Sequence, residues 1–299
     1  MMIRHITVAI LLANLITSCA LRNVDRLPVG KLNSASACSA ATEQRLHLQY
    51  NQKNIDWLYP AAVQGNVFAQ YTLGIKHANG KDETVIQDDK AAAEWLVKAA
   101  KRGHAHAQHA LAGLYFTGKG VPQDLRMAFL WTGKAAEKDC VLAQYSLAVA
   151  YYIGWGEQQD MSLARFWYLK AAKQGHSNAQ FAVGQMCYKG EGVVPDHEVA
   201  MSWFYKAAKQ GHSGAQHLLS LGYMRGQGVP KNERTAVKWL HKAAEQNDGY
   251  AQYDLGLMYF NGQGILAQDK QQALFWIRKA AANYCTLAEQ WLQKFQDLQ

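Results

Sequence analysis

The chain repeats itself about every 36 residues, and this period constrains the fold more than any other feature of the sequence. The dipeptide Ala-Gln returns at or near that interval, and the dipeptide Ala-Ala does so in its own register. The Ala-Gln pairs begin at Ala69, Ala107, Ala143, Ala179, Ala215 and Ala251, and the Ala-Ala pairs at Ala99, Ala135, Ala171, Ala207, Ala243 and Ala280. Periods of roughly 20 to 50 residues are typical of repeat proteins, in which each unit buries its apolar face against its neighbours.

The unit that begins at Ala179 predicts a first helix. Apolar or small residues lie at Ala179, Val183, Gly184 and Cys187, which is the spacing of one helical face. Gly190 ends this helix, because glycine adopts the left-handed conformation without steric cost. The equivalent glycines are Gly80, Gly118, Gly154, Gly226 and Gly262.

The second half of the unit predicts a second helix, antiparallel to the first. Asp196 is well placed to cap its start, and a tryptophan on its alanine face is expected to be the main apolar residue between layers. These tryptophans are Trp95, Trp131, Trp167, Trp203, Trp239 and Trp276. A second stop follows at residues that tolerate the left-handed conformation: Gly103, Asp139, Gly175, Gly211 and Asn247. We therefore expect about fourteen helices and no sheet.

The combined motif, A-Q-x-x-L-G-x-x-Y-x-x-G-x-G-V-x-x-D-x-x-x-A-x-x-W-x-x-K-A-A-x-x-G, resembles the Sel-1-like repeat (SLR) family, relatives of the tetratricopeptide repeats (TPR). Six copies extend from Ala69 to Tyr284, a half copy containing Trp57 precedes them, and a last helix, Leu287–Leu298, closes the stack. The resemblance implies an all-α fold over residues 52–299: a right-handed α/α superhelical solenoid of antiparallel helix pairs. It also implies a binding protein rather than an enzyme.

The N-terminus has the composition of a bacterial export signal. Arg4 is followed by an apolar stretch, Ile6–Ile16, that is too short to predict a membrane span. The residues before Cys19 resemble a lipobox, which implies a signal peptide over residues 1–18 and a lipid on Cys19. Ordinary cleavage after Ala20 is the alternative. Residues 19–51 are interpreted as a flexible tether, and Ala20 after the cysteine resembles the sorting signal of an outer-membrane lipoprotein that faces the periplasm or the surface.

The formal net charge is +8, and much of the excess is periodic. One lysine follows each repeat tryptophan by three residues: Lys98, Lys134, Lys170, Lys206, Lys242 and Lys279. These lysines fall in the last turns of the second helices, where the helix dipole favours cations and their stems can cover the indole. Export argues against nucleic acid as a partner, so an acidic protein, anionic lipid or an acidic polysaccharide remain.

Few residues suggest chemistry. His104, His106 and His109 are close in sequence, but no carboxylate or cysteine accompanies them, so no metal is predicted. The five cysteines do not have the spacing of a disulfide framework. Catalytic and cofactor-binding motifs are lacking, so we expect neither a cofactor nor an enzyme. A hydrolase related to a cysteine-rich SLR branch is the least favoured hypothesis.

The best lead is the position two residues after each repeat alanine, which we call the slot. Its residues are Tyr71, His109, Tyr145, Phe181, His217 and Tyr253. In tetratricopeptide repeats the matching position faces the concave groove, so the resemblance implies that these side chains bind a partner there. The alternative is that they pack between repeats.

Taken together, the sequence favours an envelope-anchored adaptor whose groove binds a protein or peptide, with the N-terminal lipid holding it at the membrane. A carbohydrate-binding envelope module, specific for peptidoglycan or an exopolysaccharide, is the alternative. Aromatic side chains are suited to both, since they are rigid anchors at protein interfaces.

Overall fold

A computed structural model describes residues 57–80 and 86–296, and over these ranges the chain is helical, with no strand. Its fourteen helices confirm the predicted all-α fold and helix number. In chain order they are α1 (Leu58–Val63), α2 (Val67–Asn79), α3 (Asp89–Lys101), α4 (Ala105–Thr117), α5 (Leu125–Glu137), α6 (Val141–Ile153), α7 (Met161–Lys173), α8 (Ser177–Lys189), α9 (His197–Lys209), α10 (Ser213–Arg225), α11 (Glu233–Glu245), α12 (Gly249–Asn261), α13 (Lys270–Ala282) and α14 (Thr286–Gln296).

The chain forms two compact units, Met1–Trp167 and Tyr168–Gln299. The predicted signal peptide, the tether and Cys19 lie outside the described residues. None of the described helices is long and apolar enough to cross a membrane.

The predicted helix ends are confirmed. In the unit that begins at Ala179, α8 ends at Gly190, which has φ of 77°. Asp196 then caps α9, because its carboxylate accepts a hydrogen bond of 2.9 Å from the backbone N–H of Val199. Asp139 and Asn247 adopt positive φ values of 59° and 64°, as their residue types suggested.

The two helices of a repeat are antiparallel, as three contacts between α8 and α9 show. The backbone N–H of Asp196 donates to the carbonyl of Cys187 at 2.9 Å. Farther from this connection, Gly184 lies against α9, and at the other end the rings of Phe181 and Phe204 have centroids 5.8 Å apart. Residue numbers therefore fall along one helix as they rise along the other.

The prediction that tryptophan supplies the main buried surface is wrong for most repeats. Trp131, Trp167, Trp203 and Trp239 are only half-buried, whereas the residue after each tryptophan is buried in every repeat. These following residues are Leu96, Thr132, Tyr168, Phe204, Leu240 and Ile277. Neighbouring residues of a helix point about 100° apart, so where the following residue faces the partner helix, the tryptophan points to one side of it.

Small residues on the first helices make room for these buried side chains. A methyl group added to Gly184 would lie 2.6 Å from the ring of Phe204, and one added to Gly256 would lie 2.5 Å from Ile277. Such distances are shorter than van der Waals contact, so the helices approach closely only because glycine is present.

Five of the repeat tryptophans lie under the periodic lysines. The Nζ atoms of Lys98 and Lys206 are each 4.0 Å from the ring centroids of Trp95 and Trp203. The same arrangement recurs at Lys134, Lys242 and Lys279. These lysines therefore have a structural role, in which the ring attracts the cation while the ammonium group stays near water.

The glutamine of each Ala-Gln pair joins consecutive repeats. Its Nε2 donates to a backbone carbonyl eight residues earlier, at the C-terminal end of the preceding second helix, over 2.8–3.3 Å. The donors are Gln70, Gln108, Gln144, Gln180, Gln216 and Gln252, and all six are buried. Each of these carbonyls also accepts a backbone N–H from three residues later at 2.9–3.1 Å, so the glutamine uses the second lone pair of the carbonyl and satisfies its own amide away from water.

In the second unit, the same glutamines also accept a hydrogen bond from the end of the second helix of their own repeat. Gln210 donates to Oε1 of Gln180 at 2.8 Å, and Gln246 donates to Oε1 of Gln216 at 2.7 Å. Asn283 has the equivalent role for Gln252 at 2.9 Å. We call this two-sided arrangement the glutamine bridge.

In the first unit, two glutamine bridges lack their second half. The positions equivalent to Gln210 hold Arg102 and Lys138, and these cations donate instead to the carbonyls of Gly65 and Gly103. Among the described residues, the buried Oε1 atoms of Gln70 and Gln108 accept no hydrogen bond. The exchange of an amide for a cation thus leaves each glutamine half satisfied.

Replacement of Phe204 and of Trp203 by alanine should have unequal effects. Phe204→Ala should leave a cavity against Gly184 and lower the free energy of unfolding by about 3–5 kcal/mol. Trp203→Ala removes a half-buried ring and one cation–π contact, so the loss should be on the order of 1–2 kcal/mol. Urea unfolding of both variants measures the difference, and a larger loss for Trp203→Ala would contradict this assignment of the core.

Candidate binding face on the first helices

The slot residues all lie on the first helices, α2, α4, α6, α8, α10 and α12, and four of them contact the next repeat directly. Two of these contacts are aromatic stacks. The ring of Tyr71 stacks on His104 at 4.6 Å, and the ring of Phe181 stacks on His212 at 4.3 Å, both with an interplanar angle of 27°. Such offset stacks contribute to stability beyond the area that they bury. These slot residues therefore hold repeats together.

The other two contacts are polar, and in both a slot histidine contacts the residue 37 positions later, on the next first helix. His109 lies 3.1 Å from the hydroxyl of Ser146, and His217 lies 2.7 Å from a carboxylate oxygen of Asp254. His109 is only 3% exposed, and burial lowers its pKa to about 4, so its ring is neutral and offers almost no surface to a partner. His217 is partly exposed.

The remaining slot residues, Tyr145 and Tyr253, are partly exposed. Tyr253 packs beside the cluster that contains Ile277 and Cys285. Burial is the main cause that raises the pKa of Tyr253, so its hydroxyl stays protonated at neutral pH. Whether any slot residue also contacts a partner stays a prediction.

Three histidines cap first helices, a role that sequence reasoning missed. The Nδ1 atoms of His104, His176 and His212 accept hydrogen bonds of 3.1–3.2 Å from backbone N–H groups at the helix starts. Asn66 and Asp248 do the same with a side-chain oxygen. The signal was available, since all five residues precede the Ala-Gln pair by the same three positions, but histidine is not among the preferred capping residues.

A capping histidine must be neutral at the nitrogen that accepts the hydrogen bond. Burial lowers the pKa of His176 to about 4, with a smaller contribution from His212. Burial also lowers the pKa of His212. Protonation of these rings would remove the acceptor and place a cation at the positive end of a helix dipole.

The G-x-G loops are filled by backbone contacts. A methyl group added to Gly120 would lie 1.8 Å from the carbonyl oxygen of Asp89, and one added to Gly228 would lie 2.2 Å from that of His197. Gly120 and Gly228 therefore pack against the start of the preceding second helix, as close approach of two backbones requires. These loops connect the two helices of a repeat and contact the repeat before it.

Other candidate chemistry is sparse in the described part of the chain. Those residues contain no group of three or more histidine, cysteine, aspartate or glutamate side chains that could hold a metal ion. Cys140, Cys187 and Cys285 are buried, and no disulfide bond joins them.

The first and second helices differ in charge. In the second unit, α8, α10 and α12 carry one charged side chain before their last residues, Asp254. Its partly exposed neighbours on these helices include Leu221, Tyr250 and Leu257. The second helices instead carry lysines in their last turns. The first helices therefore present the less charged surface.

A scan against protein-family models matches the Sel1 repeat over residues 67–104, 105–140, 141–176, 177–212, 213–248 and 249–284. The chain belongs to the Sel1 repeat family. These six matches agree with the six copies that the sequence predicts, and Sel1 repeat solenoids are commonly scaffolds for protein–protein interaction.

Two solved structures of the family are similar to the chain. A protective antigen of uropathogenic Escherichia coli with an SLR fold is 31% identical, with a TM-score of 0.76 over 89% of this chain. The chain spans 60% of that antigen. A Sel1 repeat protein from Oxalobacter formigenes is 34% identical, with a TM-score of 0.69 over 87% of this chain and 76% of its own. None of the curated proteins matches the chain.

The capping histidines predict that acid destabilises the second unit. Because the pKa of His176 is about 4 in the folded protein and about 6.5 when exposed, the unfolded chain binds the proton first. The cap should therefore stabilise fully above about pH 6.5 and lose its effect as the pH falls towards 4. His176→Asn should keep a cap, as Asn66 does, and weaken this pH dependence.

Urea unfolding between pH 7.5 and 4.5 measures the effect. His176→Ala is the control: it should lower stability by on the order of 1 kcal/mol at pH 7.5, because the cap itself is lost. An asparagine variant as sensitive to acid as the wild type would contradict the role of His176.

Proposed function

We propose that the chain is an envelope-anchored interaction scaffold that binds a protein or peptide on its first helices. Membership of the Sel1 repeat family supports an interaction role, since such proteins are typically non-catalytic scaffolds. The observation that carries the choice of surface is the contrast in charge between first and second helices. Lysines near the tryptophans are engaged in structural contacts, whereas Tyr250 on α12 is 57% exposed.

In the second unit we define the first-helix face as Phe181, Gln185, His217, Leu221, Tyr250, Asp254 and Leu257. On α12, Tyr250, Asp254 and Leu257 are spaced as residues of one helical face. Partly exposed aromatic and leucine side chains provide apolar contact area, and aromatic residues are enriched among those that dominate binding energy.

Export and anchoring are part of the proposal. The signal-like residues 1–18 and the lipobox-like residues before Cys19 support a lipoprotein. The E. coli relative is a protective antigen, which supports placement of this chain outside the cytoplasm. A lipid on Cys19 would hold the scaffold at the membrane while the repeats stay available to a partner.

The face is tested by a variant that spares the junctions between repeats. Alanine at Phe181 or His217 would also remove inter-repeat contacts, so Tyr250→Ala is the better choice. We expect it to reduce crosslinked partner recovered from cells several-fold, at an unchanged melting temperature. Phe275→Ala is the matched control, because Phe275 is a 54% exposed aromatic residue on the second helix α13 and its ring contacts its neighbour in sequence, Trp276.

Equal partner recovery by wild type and Tyr250→Ala would place the binding site elsewhere. Binding of neutral glycans to purified protein, unaffected by salt, would instead favour the carbohydrate-binding alternative. Binding that falls as salt rises and is lost with the lysines of the second helices would indicate an acidic partner on the opposite surface.

The anchor is tested by labelling with a fatty-acid analogue. Wild-type protein should incorporate the label and stay with membranes after a high-salt wash, because two or more acyl chains give stable anchoring. Cys19→Ala should incorporate none and be released or remain unprocessed. An unlabelled wild-type protein would refute the lipoprotein and leave simple secretion.

A further inference from the structure

Asp254 differs in charge from the other residues of the first-helix face of the second unit. The helices α8, α10 and α12 contain 39 residues, 13 in each, and before their last positions Asp254 is the one aspartate, glutamate, lysine or arginine among them. Lys189 and Arg225 end α8 and α10. A single carboxylate on a largely uncharged face is therefore the feature that can best discriminate between ligands by their charge.

The carboxylate is held in place yet open to solvent. Its Oδ2 accepts a hydrogen bond of 2.7 Å from Nε2 of His217 on the preceding first helix. The side chain of His217 is 14% exposed and that of Asp254 is 35% exposed. Within the described parts of the chain, Oδ1 of Asp254 forms no further hydrogen bond, so this oxygen can accept one from a ligand.

The contact between repeats does not require this negative charge. In the first unit, the equivalent pair of positions holds His109 and Ser146, which contact at 3.1 Å, and there the neutral hydroxyl is sufficient. Both residues of that pair are buried, whereas Asp254 is partly exposed. The carboxylate at Asp254 therefore provides a charge at the surface beyond what the junction uses.

The surroundings strengthen the interaction of this charge with a ligand. Tyr250 lies one turn before Asp254 on α12, and Leu257 lies one turn after it. A peptide that covers these apolar side chains excludes water, and in the lower local dielectric a pair of opposite charges attracts more strongly. An acidic peptide would be repelled at the same position.

We propose that Asp254, oriented by His217, binds the cationic group of a peptide that lies on the first-helix face. The cation is a guanidinium or ammonium group, and the residues beside it are apolar, to match Tyr250 and Leu257. This inference rests on the proposed function and adds the class of ligand: an otherwise apolar peptide segment with a basic residue.

The test uses random linear peptides displayed on phage and selected on the full-length protein. Selection on the wild type should enrich lysine or arginine among apolar residues. Asp254→Ser is the informative variant, because it copies Ser146. The serine hydroxyl oxygen can still accept the hydrogen bond from Nε2 of His217, so the melting temperature of the variant should stay close to that of the wild type. A selected peptide, made synthetically, should bind this variant about ten-fold or more weaker.

Two controls make the result specific. Asp248→Asn removes an equal charge from the start of α12 while keeping a capping oxygen, as Asn66 shows, and should leave the affinity unchanged. Replacing the peptide's arginine with neutral citrulline should weaken binding to the wild type about ten-fold but barely affect binding to Asp254→Ser, which shows that the two groups are coupled.

The outcomes separate this inference from the proposed function. The role of Asp254 would be overturned if the selected peptides lack basic residues and bind Asp254→Ser as tightly as they bind the wild type. If the same peptides bind Tyr250→Ala more weakly than the wild type, the binding face itself stays supported. If selection gives no peptide that depends on Tyr250, the binding face is refuted, and the role of Asp254 with it.

Discussion

The hydrogen bond from the buried glutamine of each Ala-Gln pair is the interaction on which the stacking of repeats depends. A buried side-chain amide that lacks an acceptor costs free energy, and the backbone carbonyls near the end of the preceding second helix can each accept a second hydrogen bond. The glutamine amide donates to one of these carbonyls and at the same time fixes the start of the next helix. In the second unit, Gln210 and Gln246 donate to these glutamines from the end of the second helix of the same repeat, so each glutamine joins two successive second helices. Burial of a polar side chain at this point therefore stabilises the register between repeats.

Much of the fold follows from the sequence because the stop signals and the repeat agree. Gly190 and Asp196 mark a helix end and a helix start in residue types whose backbone preferences are strong. The core residue was harder to assign. Trp203 and Phe204 are adjacent and apolar, and composition favours the larger ring. The side chain that is buried is decided by which one faces Gly184 across the helix pair, and that depends on tertiary geometry.

The candidate site is less predictable for a similar reason. The slot could be identified from the period, but its side chains meet positions in the next repeat that differ from copy to copy. Phe181 finds His212, whereas His217 finds Asp254. The capping role of His176 was missed because histidine accepts a hydrogen bond only when neutral, a state that burial imposes and that residue type alone does not indicate.

The half-satisfied glutamines of the first unit have a consequence for how the molecule opens. In a repeat protein, stability is close to a sum of contributions from repeats and from the interfaces between neighbours. Interfaces at Gln70 and Gln108 keep a buried oxygen without a hydrogen bond among the described residues, and they rely on exposed cations at Arg102 and Lys138 in its place. Local opening should therefore cost less free energy there than at Gln216, and the amide hydrogens of α2 and α4 should exchange with solvent sooner than those of α10.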